Sequence, residues 1–127
     1  MTKILIIDDD ETCREIARIL LNRLGITDIV YAEDGHQGLN LLDSMEVPPN
    51  VVITDIFMPN KDGIEMVTAL AKRQFAGELI LASGADPIML RVAQAMALAG
   101  GLSVLATLLK PLDEQALRNV FARLNGS

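Results

Sequence analysis

Three aspartates, Asp8, Asp9 and Asp10, follow directly on the apolar run KILII near the start of the chain. A fourth, Asp55, ends the run VVIT and leads into IFMPNKDG. Two more polar groups stand in the same relation to apolar runs: Ser83-Gly84 after ELILA, and Lys110-Pro111 after VLATLL. Each has an ordinary explanation by itself. Asp10 can cap a helix with Glu11 matching its dipole, Ser-Gly is common turn chemistry, and a lysine before a helix start is commonly exposed. Capping cannot account for all three successive aspartates together with Asp55. Carboxylates brought close together repel, so one must hold a proton or a cation must join them. An all-oxygen set suits a hard divalent ion, and Mg2+ takes one or two carboxylates while keeping waters. With a lysine and a hydroxyl alongside, such a set neutralises the oxygens of a transferring phosphoryl group. Asp55 would then be the nucleophile, forming an acyl phosphate. The chemistry inferred is metal-assisted phosphoryl transfer.

These groups meet only if the runs before them are strands that deliver their ends to one edge. Five runs qualify: Lys3–Ile7, Asp28–Ala32, Val51–Thr54, Glu78–Ala82 and Val104–Leu109. Their near-continuous Ile, Leu and Val content suits strands covered on both faces, as in a parallel sheet. Helical spacing recurs between them. Cys13, Ile16, Ala17, Leu20, Leu21 and Leu24 form one apolar face, as do Ile64, Val67, Leu70 and Ala71, and Leu117, Val120, Phe121 and Leu124. Asp86-Pro87 and Asp113 read as helix starts, Gly25 and Gly77 as the ends of the first and third helices, and VPPN as a loop. The pattern implies a doubly wound α/β domain. In such a fold ligands bind beyond the carboxyl ends of the strands, where the polar groups fall.

Composition narrows the function classes. With 127 residues, 50% hydrophobic and 22% charged, the chain suits one globular domain with a real core. A net charge of -6 argues against a nucleic-acid or anionic-membrane surface. Cys13 is the only cysteine, which rules out an internal disulfide and fits a reducing cytoplasm. The uncharged stretch from Val92 to Leu109 approaches the length of a membrane span, but Gly100 and Gly101 sit in its middle. A helix, a glycine break and a buried strand explain it better.

With Asp8-Asp9 after KILII, TDIFMPNKDG around Asp55, Ser83-Gly84 and Lys110-Pro111, the chain resembles the receiver domain of bacterial two-component response regulators over essentially its whole length. The resemblance implies a flavodoxin-like fold: a five-stranded parallel sheet in the order 2-1-3-4-5 with five helices, residues 1–127 being one receiver, either stand-alone or an excised N-terminal domain. It implies that a histidine kinase or phosphotransfer protein phosphorylates Asp55. Mg2+ would be bound by Asp9, Asp55 and the backbone carbonyl of Phe57, with Asp8 helping through water. Ser83 would hydrogen-bond the phosphoryl group and Lys110 would pair with it. Met58-Pro59 and Asp62-Gly63 would shape the following loop. The implied protein is a cytoplasmic phosphoacceptor with at most self-phosphorylation and self-dephosphorylation activity. Its output would be a homodimer through the fourth helix, fifth strand and fifth helix, or contact with a downstream domain.

Two departures stand out. Receivers commonly carry Tyr or Phe three residues before the lysine, where this chain has Thr107. The approach LAGGLSVLATLLKPL is longer than usual and is similar to receivers that precede EAL-type cyclic-di-GMP phosphodiesterase domains. Phe57 and Ala85, each two residues after a site residue, are apolar and cannot orient an attacking water, so a long-lived phosphoryl group is expected. Three other readings compete: a phosphohydrolase of the haloacid-dehalogenase type, using Asp-x-Asp within Asp8–Asp10, a flavodoxin-like cofactor carrier, and a pseudo-receiver that binds without phosphorylation. His36 is expected on an exposed helix start and Cys13 in the core. Arg91, Gln94 and Ala93–Ala99 form either a packing face or a partner surface.

Overall fold

Among the residues that the computed structural model describes, 2–57, 63–84 and 87–124, five strands alternate with five helices. The order is β1 (Lys3–Ile7), α1 (Glu11–Arg23), β2 (Asp28–Ala32), α2 (Gly35–Ser44), β3 (Val51–Asp55), α3 (Gly63–Lys72), β4 (Glu78–Ser83), α4 (Pro87–Ala99), β5 (Ser103–Leu109) and α5 (Glu114–Leu124). All strands pair in parallel in the order β2-β1-β3-β4-β5. This is the doubly wound, flavodoxin-like architecture that the resemblance implied. β3, β4 and β5 each run one residue further than their apolar runs, because ladder pairing continues at Asp55↔Ala82, Ser83↔Leu109 and Glu78↔Ser103. Backbone bonds do not depend on side-chain polarity, so Asp55 and Ser83 are themselves strand residues.

Alternation of side chains splits the apolar residues into two cores. On one face Leu5, Ile7, Val52, Leu79 and Leu81 meet Leu39 of α2, Met66 and Leu70 of α3, and Leu90 and Ala93 of α4. On the other, Ile4, Ile6, Val51, Ile53 and Ile80 meet Ala17 and Leu21 of α1 and Leu117, Val120 and Phe121 of α5. The chain turns to opposite sides after β1 and after β3. A crevice therefore opens at the carboxyl ends of these neighbouring strands.

Three helices end in the same way. Ile26 N–H closes on the Leu21 carbonyl, Phe75 on Leu70 and Leu102 on Ala97, each behind a residue with positive φ. In α1 and α4 that residue is glycine, Gly25 or Gly101. In α3 it is Gln74 (φ 53°), not Gly77 as the sequence suggested. Gly77 has another purpose: a Cβ there would lie 2.7 Å from the Asn50 carbonyl oxygen and 3.0 Å from that of Pro49. The αL geometry costs a non-glycine residue about 1 kcal/mol. Gln74→Gly should therefore raise stability by about 1 kcal/mol, an outcome read from denaturant midpoints.

Asp10, Asp34 and Asp113 accept backbone N–H groups at the starts of α1, α2 and α5. Asp86 lies outside the described residues, and Pro87 opens α4. His36 is exposed near the start of α2. α4 buries Leu90, Ala93 and Ala97 while Ile88, Val92, Met96 and Leu98 stay exposed. The long uncharged stretch divides into the end of α4, the glycine pair and β5. No helix among the described residues is long and apolar enough to cross a membrane.

Candidate functional site

Asp8 follows the last residue of β1. Its N–H still pairs with the Ala32 carbonyl of β2 at 3.1 Å, so the strand end is held. Its Oδ1 accepts the Asp10 N–H (3.0 Å) and its carbonyl accepts Arg14 Nη1 (2.7 Å). Asp10 is occupied elsewhere: its carboxylate caps α1 on Thr12 N (2.8 Å) and Cys13 N (3.3 Å). The Cys13 and Thr12 N–H groups hold its carboxyl below the ordinary aspartate value. That leaves Asp8 and Asp9 to face the crevice.

Asp55 ends β3, the neighbour of β1, and its Oδ1 accepts the Phe57 N–H at 3.1 Å. Carboxylate oxygens of Asp8, Asp9 and Asp55 lie within 4.8 Å of one another. Asp8 and Asp55 are buried, at 6% and 7% exposure, whereas Asp9 is exposed. Lys110 arrives just past the end of β5 and bridges the buried pair, Nζ to Asp8 Oδ2 at 2.6 Å and to Asp55 Oδ2 at 3.0 Å. Its N–H donates to the carbonyl of Ser83, the fully buried last residue of β4 (2.8 Å). Gly84 lies against the lysine stem, at an ordinary van der Waals distance from where a Cβ would stand.

The electrostatics follow from burial and charge. Burial pushes the Asp55 carboxyl above the ordinary value, and the Phe57 N–H and the Lys110 ammonium draw it back only in part. Burial disfavours the Lys110 ammonium too, but the hydrogen bond to Asp8 and the charge of Asp55 outweigh that and raise its pKa. Two buried anions and one cation remain, with a third carboxylate at the rim. That excess negative charge, presented entirely by oxygen donors, fits a hard divalent cation such as Mg2+. Asp8, Asp9 and Asp55 are the side chains able to hold it.

The two described ends of the segment after Asp55 meet in direct contact. Gly63, the first residue of α3, donates its N–H to the Ile56 carbonyl at 2.8 Å. A Cβ on Gly63 would stand 2.5 Å from Ile56 Cβ and 2.7 Å from its Cα. Only glycine lets α3 start directly against the residue that follows Asp55. Met58, Pro59 and Asp62 of the expected loop motif lie outside the described residues.

Residues 4–122 match the family described as the response regulator receiver domain. The chain belongs to that family. It is a receiver of two-component signalling. It is 34% identical over 96 residues to a probable chemotaxis protein CheY of Rhizobium etli, covering 72% of this chain and 73% of that protein. It is 32% identical over 84 residues to the probable C4-dicarboxylate response regulator DctR of Bacillus subtilis, covering 65% of this chain but 36% of the relative. A solved response regulator from Colwellia psychrerythraea is 27% identical with a TM-score of 0.79, covering 97% of this chain and 95% of that one. The signal receiver domain of an HD domain-containing protein from Pseudomonas fluorescens Pf-5 is 29% identical with a TM-score of 0.78, covering 96% and 92%.

The receiver brings Asp8, Asp9, Asp55, Ser83 and Lys110 to one sheet edge, with Phe57 beside them at 44% exposure. Asp9, Asp55, Phe57, Gly84 and Lys110 line an open cleft of about 520 Å3. Thr107 stands apart, half-buried on β5 opposite Leu81. Cys13 is not simply a core residue. It is half-buried and lines a cavity of about 40 Å3 under the site, among Ile16, Ala17, Ile53 and Leu112. Burial raises its thiol pKa, which keeps it protonated and inert at neutral pH. Sequence reasoning passed over Arg14. The available signal was a cation one turn into α1, where the helix dipole disfavours it.

Proposed function

We propose that this receiver accepts a phosphoryl group on Asp55 from a histidine kinase or phosphotransfer protein in a Mg2+-dependent reaction, and thereby changes the surface it offers to partners. The observation that carries this reading is the bridge from Lys110 to both Asp8 and Asp55 beside the exposed Asp9. An oxygen of Asp55 attacks the phosphorus. An O–P bond forms as the N–P bond to the donor imidazole breaks, and the imidazole nitrogen leaves with the electron pair. Burial keeps water away from the Asp55 carboxylate and leaves it more basic than an exposed aspartate. Bound Mg2+, held by Asp8, Asp9, Asp55 and the Phe57 carbonyl, would supply neutralisation of the phosphoryl oxygens. Lys110 turns from the carboxylates to those oxygens, and the Ser83 hydroxyl donates to them.

The reading makes the domain, residues 1–127, a cytoplasmic switch that takes up one phosphoryl group rather than turning over a substrate. Phosphorylation biases a two-state equilibrium of α4 and β5. The exposed Ile88, Val92 and Met96 on α4 and Leu109 on β5 suit a homodimer, or a downstream domain, on the α4–β5–α5 face. Intact-mass measurement after incubation with acetyl phosphate and Mg2+ tests the chemistry. One phosphoryl group is expected on the wild type and none on Asp55→Asn, and sedimentation of the same samples reports the partner surface. Label on both proteins, or sustained release of phosphate, would overturn the reading.

The phosphoryl group is expected to be long-lived, because Phe57 at the rim of the cleft offers no group to orient a water. Ala85, the other position concerned, lies outside the described residues. Phe57→Asn should speed loss of the label about tenfold, a modest share of what a positioned general acid–base group contributes. Equal or slower decay after removal of donor and kinase would sink this expectation.

A further inference from the structure

Arg14 stands one turn inside α1, where its N–H makes a bond of the helix ladder to the Asp10 carbonyl at 3.0 Å. Its position opposes the helix dipole, so helix stability does not explain it. Helical side chains lean toward the N-terminus, and the guanidinium reaches back to the Asp8 carbonyl, Nη1 lying 2.7 Å away. The described residues give it no ion pair, although Glu11, Glu15 and Glu33 line the same groove.

We propose, building on the phosphoacceptor reading of this site, that Arg14 is a positioning residue for the divalent cation: it holds the peptide unit that carries Asp9. Asp8 is fixed without help from Arg14, through its N–H, Oδ1 and Oδ2. Asp9 is exposed, and among the described residues no donor meets its carboxylate. Its direction is set by the peptide plane between Asp8 and Asp9, and Arg14 grips the carbonyl of that plane. Two effects of the guanidinium oppose each other. Its charge repels a divalent ion, while its grip orders a ligand that the ion would otherwise have to immobilise. A half-buried cation beside open solvent is well screened. An unordered exposed carboxylate carries its full rotational entropy into binding. The positioning effect prevails, and losing Arg14 weakens ion binding rather than strengthening it.

Titration calorimetry with Mg2+ on the intact chain tests this in wild type, Arg14→Met, Arg14→Lys and Arg18→Met. Arg18 is the control, a cation on the same helix that bonds Glu15 instead of the loop. Arg14→Met should bind Mg2+ about tenfold more weakly, the lower end of what groups supporting metal ligands contribute. Arg14→Lys, with the charge but not the planar fork, should fall between, and Arg18→Met should match wild type. In acetyl phosphate labelling, the half-saturating Mg2+ concentration should rise by the same factor while the rate at saturating Mg2+ is little changed. Mg2+ affinity in Arg14→Met equal to or above that of wild type would overturn the proposal. Should that variant fail to fold, Arg14→Lys decides on the same directions. If wild type itself binds no Mg2+, the phosphoacceptor reading falls first and this inference with it.

Discussion

Replacing Lys110 with methionine is expected to lower the unfolding free energy in the absence of divalent ions by about 2–4 kcal/mol, and nearly to abolish phosphoryl uptake on Asp55. The ammonium is the described cation that meets both Asp8 and Asp55, at 2.6 and 3.0 Å, in a setting where each carboxylate is less than a tenth exposed. Removing one partner of a buried pair leaves the other's desolvation uncompensated, which is why the loss exceeds that of a surface ion pair. The open cleft above the site keeps the figure below the full cost of an enclosed charge. Mg2+ should recover more stability in the variant than in wild type, since the ion then takes over the neutralising role. Equal melting midpoints of variant and wild type without Mg2+ would show that the ammonium is not what allows the carboxylates to coexist.

Gly63→Ala is the second large effect. The new methyl group would sit 2.5–2.7 Å from Cβ and Cα of Ile56, and a backbone atom cannot rotate out of the way as a flexible side chain can. The expected loss is about 3 kcal/mol, the upper end of ordinary overpacking. Because Ile56 follows Asp55 directly, the strain reaches the nucleophile. A displacement of about 1 Å there is enough to slow acetyl phosphate labelling by up to about a hundredfold. Gly84→Ala supplies the contrast on the other side of the site: its Cβ would meet Lys110 Cβ at 3.7 Å, an ordinary contact, so melting should barely move. A Gly63→Ala protein that melted and labelled like wild type would show that the α3 start relaxes freely.

Much of this molecule could be read from local patterns. The strand runs, the apolar faces of α1, α3 and α5 and the caps at Asp10 and Asp113 depend on residues within a turn or a strand of one another, which a linear sequence displays directly. The strand order came instead from family resemblance, since periodicity does not say which strands are neighbours. Helix endings were readable where glycine marked them, at Gly25, and misread at Gly77. There the 6→1 closure from Phe75 to Leu70 forces the αL conformation on Gln74, against its intrinsic preference.

By itself, the sequence determined which chemical groups sit at strand ends, and that they are suited to metal-assisted phosphoryl transfer. Hydrophobic runs end where they end whatever the topology. The tertiary structure decided how those groups share their partners. Lys110 reaches Asp8 across 102 positions and Asp55 across 55, so the crossover order, not the spacing, determines that one ammonium serves both. The Asp10 cap, by contrast, is local and was legible in the sequence, and it leaves Asp9 open. Arg14 meets the Asp8 carbonyl only six positions away, but through a helical side chain leaning back toward the N-terminus, a direction that residue spacing alone does not display. Such contacts depend on side-chain direction and strand adjacency, neither of which is written in any local stretch of residues.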